Sequence, residues 1–106
     1  MDPVTLAASA TGLLAPYIAK AGEKLLDQAA EVLPEQVAKI WSAIRRKSKG
    51  RPAAEEAIYD LVKMAKDPDN QEAFSLQVRK LLKDDPVFAQ EFESLLAEAR
   101  KAGIVV

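Results

Sequence analysis

Apolar residues in this chain return at helical spacing, and the sparse β-branched residues never alternate over a strand length. Val4, Thr11, Ile18, Leu25 and Val32 recur every seven residues, with Ala7, Leu14 and Ala21 on the adjoining row. Residues three, four and seven apart share one face of a helix, so the stripe predicts one long helical path to about Leu33. Asp2 suits an N-cap, and Pro3 takes the first helical position, where proline loses no intrahelical bond. Pro16 is expected to kink that path or split it near Leu14, because its ring removes one backbone bond and crowds the preceding turn. Gly12 and Pro16 are therefore the candidate hinge.

The same punctuation marks four more helices. Pro34 opens "PEQVAKIWSAIRRKSKG", with Val37, Ile40, Trp41 and Ile44 on one face and Gly50 as its stop. Pro52 opens "PAAEEAIYDLVKMAK", which turns Ala54, Ile58, Leu61, Val62 and Ala65 inward. Asp67-Pro68-Asp69-Asn70 reads as a turn before "QEAFSLQVRKLLK", whose inner face is Phe74, Val78, Leu81 and Leu82. Asp85 and Pro86 cap and open "PVFAQEFESLLAEARKAG", with Phe88, Phe92, Leu95, Leu96 and Ala99 inward and Gly103 as its end. Short connections favour antiparallel neighbours, so the expected fold is all-α: an up-and-down bundle of four to five helices with a long kinked first helix. Residues 1–106 form a single domain on this reading, with the first helix at its centre and buried on most faces.

Composition supports helices and narrows the chemistry. Apolar residues are 49% of the chain while aromatics are only 6%, and much of the apolar share is alanine, the residue least costly in a helix. Cysteine and histidine are both absent, which excludes disulfides, thiolate nucleophiles, imidazole bases and His or Cys metal sites. The lack of cysteine fits a reducing cytoplasm. The net charge of -1 conceals a basic middle, residues 34–51, between two acidic flanks.

Three features compete for a functional role. From Pro3 to Ala19 there is no formal charge, yet the segment lacks the early lysine or arginine of a secretory signal. It is also slightly short and too rich in Thr5, Ser9, Thr11, Gly12 and Pro16 for a confident spanning helix, for which about 20 apolar residues are expected. Ala8 and Gly12, four apart, let another helix backbone approach closely, in a soluble bundle or in lipid. The second feature is "RRKSKGR", where Arg45, Arg46, Lys47, Lys49 and Arg51 put five cations in seven residues. Such cations complement a helix C-terminus and also attract anionic head groups, at about 1 kcal/mol each near a membrane surface. Nucleic-acid binding is disfavoured, because no aromatics interleave with the cations and the chain is acidic overall.

The third feature is the acids at Glu55-Glu56-Asp60, Asp67-Pro68-Asp69 and Asp84-Asp85, which sit where first-turn acids and caps are expected. "DPDNQE" lacks the central glycine and spaced glutamate of a calcium loop. Trp41 and Tyr59 are read as core residues rather than membrane-interface anchors. No catalytic, cofactor-binding or metal-binding set is predicted, and the chain is not expected to be an enzyme.

The opening "MDPVTLAASATGLL" resembles the extreme N-terminus of fungal HeLo and HeLo-like domains, through Met1, Asp2, Pro3, Ala7, Ala8, Ser9, Gly12, Leu13 and Leu14. Downstream, the alanine-rich bundle with its basic second helix is similar to the bacterial counterparts called Bell domains. The motif covers about the first fifteen residues, and the rest matches in size and helix pattern. The resemblance implies a cell-death effector at the N-terminus of a longer signalling protein, related to the MLKL-type four-helix domains and often coupled to an amyloid motif or sensor module. The ending "GIVV", just past Gly103, fits an excised N-terminal domain on this expectation.

In such proteins oligomerisation exposes the first helix, which then attacks a membrane. Carried to this chain, Val4, Leu6, Leu13, Leu14 and Ile18 would be buried at rest and inserted on activation. Arg45, Arg46, Lys47, Lys49 and Arg51 would meet anionic lipid, and the protein would move from cytoplasm to the cell membrane. The alternative is a soluble helical adaptor or oligomerisation domain of an immune signalling protein. Both readings call for self-association, and neither for nucleic acid or a cofactor.

Overall fold

The computed structural model describes residues 1–104, and all regular structure among them is helical. In chain order these are α1 (Pro3–Ala21), a 3-10 turn (Gly22–Leu26), α2 (Ala29–Val32), α3 (Glu35–Ser48), α4 (Pro52–Lys63), α5 (Pro68–Asp84) and α6 (Pro86–Lys101). Val105 and Val106, which close the "GIVV" segment, lie outside the described residues. The all-α bundle with a long first helix is as expected, with a single-turn α2 added to the five helices.

The first helix ends sooner than its stripe predicts. Asp2 caps it, its carboxylate accepting the Thr5 N–H at 2.8 Å and the Thr5 hydroxyl at 3.1 Å. At the other end Gly22, at φ 60°, takes a backbone conformation open to glycine and donates its N–H to the Ile18 carbonyl. The path to Leu33 is thereby broken into α1, the 3-10 turn and α2, because one left-handed residue terminates helical hydrogen bonding. Pro16 does not split α1, which runs unbroken through it.

The seven-residue stripe also proves to be the margin of the buried face rather than its middle. A straight helix drifts about 20° per seven residues against such a repeat. Ile18 lies inside the core, Thr11 is 8% exposed and Val4 is 51% exposed. The expectation that Val4 is buried at rest is therefore corrected. The buried face is Leu6, Ala7, Ala10, Thr11, Leu13, Leu14 and Ile18, and the Thr11 hydroxyl is satisfied by the Ala7 carbonyl at 2.8 Å. Nor is α1 enclosed on most faces: it rests chiefly on α5, and its opposite side is open to solvent.

The central position belongs to α5, which packs against α1, α4 and α6. Trp41 of α3 stacks on Phe74 of α5 with centroids 6.4 Å apart, and its indole N–H donates to the Leu25 carbonyl at 3.1 Å. That bond joins the 3-10 turn to the core while leaving no buried donor unpaired. Tyr59, expected in the core, is instead 44% exposed on α4. Leu95 of α6 is only half-buried, while Phe88, Phe92, Leu96 and Ala99 are buried as expected.

The segment read as a turn at Asp67–Asn70 is already the first turn of α5. Asp67 caps it by accepting the Asp69 N–H at 2.9 Å, and α4 stops at Lys63. Carbonyls at and just past the end of α4 accept from α5 side chains. The Asn70 amide donates to the Asp60 and Met64 carbonyls at 3.1 and 3.2 Å, and the Gln71 amide to the Ala65 carbonyl at 2.7 Å. The Asp60 and Met64 carbonyls also accept the Met64 and Asp67 backbone N–H groups at 3.0 and 3.2 Å, so the Asn70 amide adds second bonds there and, with Gln71, fixes the α4–α5 corner.

Candidate functional site

Two surfaces carry the predicted site residues: the outward side of α1 and the end of α3. Along α1 the exposed residues are Val4, Thr5, Ala8, Gly12, Pro16 and Ala19, before Lys20 ends the run. Most exposed helix faces in a chain with 29% charged residues carry charge, and this one carries none. Leu6, Leu13, Leu14 and Ile18 point the other way and are at most 1% exposed. The two sides of α1 thus differ in side-chain size rather than in charge.

Gly12 and Pro16 lie one turn apart on the open side. A Cβ at Gly12 would meet nothing within 4 Å. Pro16 has no N–H to give the Gly12 carbonyl four residues back. The Met1 amino group, at the start of the same helix, reaches Glu93 of α6 at 3.3 Å.

At the end of α3 the five cations do not stand as one free patch. The Arg46 guanidinium binds both oxygens of Glu91 at 2.9 Å. Lys47 binds Asp85 at 2.7 Å and lies 5.5 Å from the centroid of the Phe88 ring, and Arg51 pairs with Asp84. These three acids come from the end of α5 and from α6, so the ion pairs join α3 to the α5–α6 corner. Arg45 and Lys49 have no acidic partner among the described residues. Three of the five cations are thus paired, and Arg45 and Lys49 share their surface with the carboxylates of Asp27 and Glu55.

The electrostatics of the acids follow from these contacts. Lys47 holds the Asp85 carboxyl below its ordinary value by a hydrogen bond, and the Phe88 backbone N–H adds to the effect. Asp2 is likewise held low by the Thr5 backbone N–H and then by the Thr5 hydroxyl. Both carboxylates are caps: Asp85 opens α6 by accepting the Phe88 N–H at 3.1 Å. Among the described residues no group of three His, Cys, Asp or Glu could hold a metal ion.

The predicted residues thus fall into three sets that the fold keeps apart. Leu6, Leu13, Leu14 and Ile18 lie inside; Val4, Gly12 and Pro16 lie outside on α1; the cations gather at the end of α3. The acidic partners Asp84, Asp85 and Glu91 are 33 to 45 residues distant from their cations, and helical periodicity carries no signal for such pairs. Comparison with protein-family models, with curated proteins and with solved structures gives no match.

Proposed function

We propose that this chain is a membrane-targeting cell-death effector domain, without catalytic activity, in which self-association releases α1 toward a membrane. The observation that carries the reading is the absence of charge over residues 3–19, so Lys20, in the last turn of α1, is the one ionised side chain within the helix and can stay at head-group level when the rest meets lipid. Arg45 and Lys49 are the cations available to anionic head groups in the resting fold. The other three become available only as their acidic partners yield. No described helix is long and apolar enough to cross a membrane. The proposed action is accordingly partial insertion by several clustered copies, with the domain resting in the cytoplasm as part of a longer signalling protein that carries a sensor or amyloid element.

Release has a calculable cost. Returning Leu6, Leu13, Leu14 and Ile18 to water forfeits roughly 6–12 kcal/mol, at about 1.5–3 kcal/mol for each side chain. That is comparable with the whole stability of a typical domain, about 5–15 kcal/mol. A lone copy therefore keeps α1 in place, and only an apolar acceptor, lipid or neighbouring α1 helices, shifts the population.

Gly12→Asp tests this without disturbing the core, because the position is open and aspartate is no worse in a helix than glycine. An aspartate within a bilayer costs about 2.5–3.5 kcal/mol, so vesicle binding and leakage should fall on the order of a hundredfold. Ala53→Asp, the same charge change at an exposed site on α4, is the control. Equal effects of the two variants would remove α1 from the mechanism. The adaptor reading is favoured by a different observation, the small exposed row at Val4, Ala8 and Gly12, on which a partner helix can lie closely. It requires a stable protein complex and no co-sedimentation with anionic vesicles.

A further inference from the structure

A cleft of about 640 Å³ opens between the Gly22–Leu26 turn, α2, α3 and α4. Leu26, Ala29, Ala30 and the exposed Tyr59 ring give it apolar lining, and the buried Leu25, Trp41 and Ile58 form its floor. Arg45 and Lys49, four residues apart at the end of α3, line the same cleft. They are also the two members of the basic run without an acidic partner among the described residues. Arg46 lines it too, with its guanidinium already engaged by Glu91. Two carboxylates complete the charge inventory: Asp27, and Glu55, which accepts the Gly50 N–H at 3.2 Å.

These features select a ligand. The volume lies within the range of small-molecule sites, about 300–1,000 Å³, and the apolar lining suits hydrocarbon. The open donors of Arg45 and Lys49 suit an oxyanion, since charge-assisted bonds are the strong ones. Asp27 and Glu55 repel a polyanion such as a nucleotide, which leaves a head group of one negative charge. We propose that the cleft binds a single-tailed amphiphile with a carboxylate or phosphodiester head. The head meets Arg45 and Lys49, and the tail runs along Leu26, Ala29 and Tyr59, over the buried Trp41. The site deepens the membrane reading at those two shared cations, yet it is complete with α1 in place, since no α1 residue lines it.

The test uses decanoate, dodecanoate, lauroyl lysophosphatidylglycerol and uncharged dodecanol, each below its aggregation threshold. Trp41 is the single tryptophan and lines the cleft, so its fluorescence reports binding directly. Saturable one-to-one binding is expected for the anions, tightening about fourfold per added methylene until the cleft is full. The two head groups separate a fatty-acid source from a lysolipid source. Dodecanol, and the Arg45→Ala/Lys49→Ala variant with dodecanoate, should each bind about tenfold more weakly or worse. Lys80→Ala, on the exposed side of α5, should leave the affinity unchanged.

Ala30→Phe, at an exposed position on the cleft wall, should block binding while the helical circular dichroism stays intact, and it carries the test if the double variant unfolds. The proposal is overturned if no anion binds saturably, if dodecanol binds as tightly as dodecanoate, or if Ala30→Phe binds as wild type. Monomer binding without vesicle leakage would retain the cleft and discard helix release; leakage without monomer binding would do the reverse.

Discussion

Gly12→Ala probes how the resting bundle holds α1. Gly12 lies in the helix interior with no positive φ, faces solvent, and offers open space to an added methyl group. The substitution therefore makes no contact and meets no obstacle, and the remaining effect is on the backbone. Glycine in a helix interior costs about 0.5–1 kcal/mol relative to alanine, because it surrenders more freedom on folding. The variant should gain that amount, which raises the Tm of a domain near 100 residues by about 2–8 °C. Thermal melts followed by circular dichroism read the shift, and urea titration should show a higher midpoint at unchanged slope.

Pro16 supplies the rival outcome. Its ring crowds the carbonyl four residues back, which is that of Gly12, and glycine is the residue best able to absorb such crowding. An unchanged or lowered Tm would refute the treatment of Gly12 as an ordinary helical position and assign it to accommodating Pro16. Because α1 is a helix both docked and released, the propensity gain favours neither state over the other, and vesicle binding should stay unchanged while the Tm rises.

Two further outcomes follow from the core and the caps. Leu14→Ala, at a fully buried position against α5, should cost about 2–5 kcal/mol, read as a lowered urea midpoint; a loss below about 1 kcal/mol would mean that the α1 face is not closely packed. Asp85 binds its proton less readily when folded than its ordinary value of 3.8, so its contribution is fully present above that pH and is lost as pH falls through the lower folded value. Asp85→Asn should flatten the acid limb of the stability profile below about pH 4, and an unchanged limb would dismiss the Lys47 and Phe88 contacts as its cause.

Much of the fold was legible in the sequence because its signals are local. Asp2-Pro3, Arg51-Pro52 and Asp85-Pro86 each mark a helix start within a residue or two of where it lies. The inward rows of α3 to α6 follow from spacing alone, apart from Leu95. The misread elements fail for identifiable reasons. Gly22 interrupts a stripe that itself carries no stop signal. Asp67–Asn70 offers both turn and cap chemistry, and the choice fell to Asn70 and Gln71 reaching back to α4 carbonyls. Val4 was misplaced because seven residues are not two full turns of a straight helix.

The site was less legible. That residues 3–19 lack charge and that Arg45–Arg51 is basic can be read directly along the chain. Which cations are neutralised cannot, since Arg46–Glu91, Lys47–Asp85 and Arg51–Asp84 each join distant segments. The cleft beside Arg45 and Lys49 leaves no mark in periodicity, being the space that the Gly22–Leu26 turn, α2 and α4 leave beside α3. Local spacing and capping determined the helices and their inner rows, because each helix is stabilised by neighbours along the chain. Tertiary packing decided which side of α1 meets water, which charges remain free and where a cavity opens, because those depend on distances between residues that the chain order does not encode.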